Sequence, residues 1–148
     1  MPRSAPFQRI LVPMDFSASA RAATVVAGNL ARQLDAAIRF VTVLDVSDLR
    51  VALKARLDRF ATTADLHREV EEWVEKQYAS LTVPDGVTST RTIRRGFADQ
   101  EILAEIAKYR PQLVVMGSSG LARRLPIGSK TAEVLRRSSV PVVVCSKA

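Results

Sequence analysis

Two short segments in the second half of the chain carry the residue types that bind phosphate. Gly117-Ser118-Ser119-Gly120 follows an apolar run, and Gly128-Ser129-Lys130-Thr131 opens a helical pattern. Glycine lets backbone N–H groups approach an anion closely, serine and threonine hydroxyls add donors, and a helix amino terminus brings partial positive charge. The same residues also suffice for two turns, so the local pattern leaves phosphate binding and plain turn formation both open. Lys130 is a near miss to a P-loop lysine, because Ser129 intervenes where the motif requires Gly-Lys. No Gly-x-Gly-x-x-Gly follows the first apolar run, which argues against a dinucleotide oxidoreductase of the standard kind.

Few other groups offer chemistry. His67, the one histidine, lies within a long helical stretch and reads as a surface residue, leaving a serine or cysteine nucleophile with no base in reach. Cys145, the one cysteine, sits in an apolar run and reads as a small buried hydrophobe; alone it forms neither an intramolecular disulfide nor a zinc site. Asp15 suits two roles: hydrogen bonding to its own loop, or reaching Mg²⁺ through water beside a bound triphosphate. No catalytic residue or base is identified. Trp73 falls in an apolar stripe with Val70 and Val74 and is expected in a core or an interface.

These residues need a frame. The run at residues 10–15, followed by Ser17 as a helix N-cap, reads as strand, loop and helix, the helix reaching Leu34 with Ala22, Val26, Leu30 and Leu34 on its apolar face. A second strand covers residues 37–44, and one long helix, or two broken near Thr62-Thr63, covers residues 48–81. Residues 87–93 are polar enough for a sheet edge, closed by Gly96. A helix from Asp99 carries Ile102, Leu103 and Ile106 and ends before Pro111. A strand at 113–116, a helix from Gly128-Ser129 carrying Ala132, Val134 and Leu135, and a last strand at 140–145 complete the alternation. Strands alternating with helices imply an α/β fold: an open parallel sheet of five strands in the order 3-2-1-4-5, helices on both faces, and ligands at the carboxyl ends where the order reverses. The last strand has an apolar open edge, so a homodimer through Val142, Val143 and Val144 is expected.

The 148 residues suit one domain spanning 1–148, with 47% hydrophobic and 25% charged residues as in ordinary globular proteins. There is no apolar run of the roughly 20 residues that a membrane-spanning helix needs, and no signal-peptide pattern at the start, so a cytoplasmic protein is expected. A net charge of +7 favours anionic partners. Nucleic acid ranks low among them, because the basic residues are dispersed in small clusters, Arg94-Arg95, Arg123-Arg124 and Arg136-Arg137, without a recognition motif.

In order along the chain, ILVPMDFS at 10–17, FVTVLD at 40–45, VVMGSSG at 114–120 and GSKTAEVLRRSSVPVVVC at 128–145 resemble the universal stress protein family across nearly the whole sequence. The ATP-binding branch of that family carries G-x2-G-x9-G-[ST], and Gly117, Gly120, Gly128 and Ser129 fall on its positions. The resemblance implies a Rossmann-like fold that binds ATP, with Mg²⁺ accompanying it, and at most a slow ATPase. It places Asp15 beside the ribose or adenine, Pro13 and Val43 along the base, and Met116 beneath it. Two features depart from the pattern. Seven residues, 121–127, separate Gly120 from Gly128 where the family has nine, and Met14 stands where many relatives carry a small polar residue. Arg123 and Arg124 in the shortened loop are candidates to face phosphate. The expected function is a stress-response nucleotide-binding module that acts by signalling or interaction; the alternative is a dimeric interaction protein of the same fold without nucleotide. A Gly117→Val side chain is expected to block the phosphate approach.

Overall fold

The computed structural model describes residues 6–45, 63–119 and 127–146. Within them the chain runs β1 (Arg9–Pro13), α1 (Ala18–Leu34), β2 (Ala37–Asp45), α2 (Thr63–Ala79), β3 (Ser89–Gly96), α3 (Ala98–Tyr109), β4 (Leu113–Gly117), α4 (Ser129–Arg137) and β5 (Val142–Cys145). The five strands pair in parallel in the order β3-β2-β1-β4-β5, the order that the strand and helix alternation implied. The part of the long helical stretch before residue 63 lies outside the described residues.

The period of two in each strand divides the core between the two faces of the sheet. Ile10, Val12, Ile38, Phe40, Leu113 and Val115 pack with the small residues of α1 and with Val74 and Tyr78 of α2. Leu11, Val41, Val114 and Met116 pack on the other face with Ile102 and Ile106 of α3 and Val134 of α4. β1 and β4 are buried on both faces, which is why their sequences are continuous apolar runs and not alternating ones. β3 is the opposite case: it lies at the edge, as its polarity predicted, but starts at Ser89 and runs through Gly96.

Local chemistry sets the helix ends. Ser17, in an extended conformation, accepts the Ala20 N–H at 3.2 Å and caps α1, which ends at Asp35 in the left-handed region. The buried face of α1 differs from the expected one. Ala20, Ala23, Ala27, Gly28 and Ala31 face the sheet, while Val26 and Leu34 lie at the surface. The helix sits too close to its neighbours for branched side chains: a Cβ added at Gly28 would lie 2.8 Å from Pro84 Cδ. In α4, Thr131 and Val134 are buried and Ala132 and Leu135 exposed, because a nine-residue helix on the sheet surface buries one narrow stripe.

A charged cluster fixes α3 to the sheet. Glu105, 1% exposed, accepts from Arg39 of β2 at 3.1 Å and from Arg94 of β3 at 2.8 Å, and Arg94 also reaches Glu101 at 2.7 Å. The Arg39 guanidinium lies 4.3 Å from the centre of the Tyr109 ring. Arg95 pairs with Glu71 and Arg136 with Glu133, so Arg94, Arg95 and Arg136 of the small basic clusters meet carboxylates of the same chain. Trp73, expected in a core or interface, is 48% exposed and touches Phe16 with one ring edge, and His67, read as surface, is half-buried on α2. The last strand lies at the open edge of the sheet with Val142, Val143 and Val144 half-buried. Among the described residues, no helix is long and apolar enough to cross a membrane.

Candidate functional site

A cleft of about 510 Å³ opens at the carboxyl ends of β1 and β4, where the strand order reverses. The neighbouring strands there send their chains to opposite faces, which parts the loops and leaves the crevice. Of the thirteen residues marked by the sequence, eleven line it: Pro13, Met14, Asp15, Val43, Met116, Gly117, Ser119, Gly128, Ser129, Lys130 and Thr131. Gly120 lies outside the described residues, as do residues 121–126 with Arg123 and Arg124. Ser118 is absent from the lining. Its N–H donates to the Cys145 carbonyl at 2.8 Å and its carbonyl accepts from Gly128 N–H at 2.7 Å, so it ties the end of β4 to β5 and to the start of α4.

Part of the cleft lining is apolar. Pro13, Val41, Val43, Ile102 and Met116 come from three adjacent strands and the first turns of α3, and their side chains offer a flat apolar group a wall without polar competition. The peptide of Met14 is committed to β2: its N–H donates to Val41 O and its carbonyl accepts from Thr42 Oγ1, each at 2.8 Å.

Another part of the lining comes from helix starts. In α4 the first intrahelical bond runs from Ala132 N–H to Gly128 O at 3.0 Å, so the amides of Ser129, Lys130 and Thr131 precede the helical ladder. The cap residue Gly128 has no side chain to occupy them, and the first turn has no acidic residue. These donors and the helix dipole make this part of the cleft favourable to an anion. Thr131 anchors the turn by donating from Oγ1 to Gly117 O at 2.9 Å. Ser19 Oγ donates to the Ser119 carbonyl, with Ser17 Oγ at 3.4 Å from the same oxygen, so the amino end of α1 holds the glycine-rich segment in place.

Gly117 has a packing task beside the one expected of it. A Cβ there would lie 2.7 Å from both Ala20 N and Ser19 C, within the start of α1. The glycine permits β4 to pass close to that helix, and Gly117→Val would disrupt this packing before it tested any ligand.

Charges across the cleft are paired. The Lys130 ammonium lies 3.6 Å from Asp45 Oδ2 and 3.6 Å from Asp99 Oδ1, joining α4 to the end of β2 and the start of α3. Asp45 also accepts Ala98 N–H at 3.0 Å and so caps α3, whose own N-cap Phe97 provides no side-chain bond. Sequence reasoning missed Asp45, Ser19, Ala98 and Ile102 as parts of this region; the aspartate closing the second apolar run was the signal nearest to hand. Asp15 is exposed at the rim and accepts Ser17 N–H at 2.9 Å, the loop bond that was one of its two expected roles. His67 and Cys145 lie outside the lining, and burial pushes the Cys145 thiol pKa up, away from reactivity.

The family model described as the universal stress protein family matches residues 6–146. Among curated proteins, universal stress protein MJ0531 of Methanocaldococcus jannaschii is 27% identical over 143 residues, covering 95% of this chain and 83% of that protein. Among solved structures, hypothetical protein MJ0577 has a TM-score of 0.75 at 22% identity, covering 97% of this chain and 98% of that one. Universal stress protein UspA from Lactobacillus plantarum has a TM-score of 0.66 at 26% identity, covering 96% and 99%. Two others share the fold and hold nucleotides. One is a universal stress protein in complex with cAMP, at TM-score 0.62 and 24% identity, covering 97% and 100%. The other, from Archaeoglobus fulgidus, is in complex with dAMP, at TM-score 0.61 and 14% identity, covering 95% and 98%. With the family match running through every described strand and helix, on a sheet of the order that its landmarks implied, this chain belongs to the universal stress protein family.

Proposed function

We propose that the cleft binds ATP with Mg²⁺, and that the protein is a stress-response module acting in its nucleotide-bound state as a homodimer joined through β5. The observation that carries the reading is the mixed chemistry of one cleft: apolar walls from Pro13, Val41, Val43, Ile102 and Met116, and in the same lining the residues that open α4. A nucleobase suits the first and phosphates the second. The cAMP and dAMP complexes of other family members support a nucleotide as the ligand class. Mg²⁺ would arrive with the triphosphate, which supplies most of its oxygen ligands, and would offset phosphate charge; Asp15, exposed in the cleft lining, would reach it through water. Asp45, the buried carboxylate of the cleft, is already committed to Ala98 N–H and Lys130, which favours a binding module over rapid turnover.

Calorimetric titration with ATP and Mg²⁺ tests the site. Binding in the micromolar range is expected, together with a thermal shift at saturating nucleotide. Absence of both heat and thermal shift would overturn the nucleotide reading and leave the interaction protein without nucleotide. Sedimentation of Val144→Lys tests the dimer: a charge on the half-buried edge strand should convert a wild-type dimer into monomers.

A further inference from the structure

We infer that Phe16 is a positioning residue for the bound nucleotide, acting through Asp15. This rests on the reading that nucleotide occupies the cleft.

Phe16 has a backbone φ of 64°, in the left-handed region that non-glycine residues, large ones above all, avoid. It directly follows Asp15, which stands at the rim of the cleft, and directly precedes Ser17, the cap of α1. The Asp15 carboxylate accepts the Ser17 N–H at 2.9 Å across it, so the turn at Phe16 brings the carboxylate and that N–H together. Three contacts hold the residue in this conformation. Its ring meets Trp73 edge-on, with centroids 5.6 Å apart, and Tyr78 edge-on at 5.1 Å, both from α2. The Arg21 guanidinium lies 5.8 Å from the ring centre, and Arg21 Nε donates to the Phe16 carbonyl at 3.4 Å. The residue before Asp15 is tied to the same helix: the Met14 carbonyl accepts from Thr42 Oγ1, which lies 2.6 Å from the Tyr78 hydroxyl. Asp15 therefore stands between two residues anchored on Tyr78, one by ring packing and one through Thr42.

A strained backbone persists where surrounding packing determines it, and here the determining groups belong to α2 and to Arg21 of α1, while the positioned group lines the cleft. Loosening the ring contacts would let the turn relax and reduce the fraction of protein with Asp15 in place, weakening apparent affinity by that fraction.

Phe16→Gly and Phe16→Ala separate backbone from packing. Both delete the ring, but only alanine disfavours a positive φ. Titration with ATP and Mg²⁺ should show Phe16→Gly within about threefold of wild type and Phe16→Ala weaker by about tenfold, although both variants lose thermal stability. Combining Phe16→Ala with Asp15→Asn should add little to the loss from Asp15→Asn alone, a coupling that general destabilisation would not produce. If glycine and alanine bind alike, or the two substitutions are additive, Phe16 is a core residue only and the inference fails while the site stands. If wild type shows no nucleotide binding, the site reading fails and takes the inference with it. Should Phe16→Ala not fold, Trp73→Ala replaces it, removing one ring that holds Phe16 from a half-exposed position; wild-type affinity in that variant overturns the inference.

Discussion

Replacing Ser129 with aspartate should move stability and ligand affinity in opposite directions. Ser129 is the first residue of α4, exposed, and part of the cleft wall; the helix has a glycine cap and no acidic residue in its first turn. A carboxylate there complements the helix dipole and should stabilise the free protein by about 0.3–1 kcal/mol. For a chain of this size that raises Tm by about 1–4 °C. A phosphate held by the amides of the same turn would lie roughly 5 Å from the new charge, where an effective dielectric of about 40 gives a repulsion of about 1.7 kcal/mol per unit charge. That is at least a tenfold weaker affinity for ATP, more if Mg²⁺ leaves over one unit of phosphate charge unbalanced. Scanning calorimetry and titration with ATP and Mg²⁺ supply the two readings, with Ser129→Ala as the control for the lost hydroxyl. Raising the salt from about 0.05 to 0.5 M should narrow the gap between Asp and Ala variants, because the repulsion is screened. Unchanged affinity in Ser129→Asp would refute the placement of phosphate at α4; a lower Tm would refute the account of its first turn.

Two further expectations concern the frame around the cleft. Glu105→Ala leaves Arg39 and Arg94 without their shared buried carboxylate and should cost about 3 kcal/mol, lowering Tm by roughly 6–12 °C; a shift below about 2 °C would show that the arginines rehydrate at no cost. The Tyr78 phenol is pushed up to about 12 by burial, against the opposing hydrogen bond with Thr42. Because the folded state favours the neutral phenol, this stabilisation is complete below about pH 10, declines as the unfolded chain ionises first, and is lost as pH rises through about 12. Its full size is about 2–3 kcal/mol. Urea midpoints of wild type should therefore fall more steeply between pH 9 and 11.5 than those of Tyr78→Phe, and parallel profiles would contradict the assignment.

The order of elements, the parallel sheet and the polar edge strand were legible from local pattern, because burial on both faces writes continuous apolar runs into β1 and β4 while the edge tolerates the arginines of β3. So was the approximate location of the cleft, since glycine and hydroxyl residues at strand ends are needed wherever backbone comes close to an anion or a helix. What sequence could not state was which of those two reasons applied at each glycine. Gly117 proves to serve helix packing, and the small-residue face of α1 was hidden because alanines carry little hydrophobic signal while Val26 and Leu34 carry much. Lys130, Asp45 and Asp99 meet only because three elements converge at the carboxyl end of the sheet. Glu105 shows the same limit: its pairing with Arg39 and Arg94 spans 66 and 11 residues of chain, and periodicity within a helix carries no record of partners so distant. Residue types and their spacing determined the elements and the chemistry on offer; the packing of helices onto the sheet decided which groups face the cleft and which are spent holding it open.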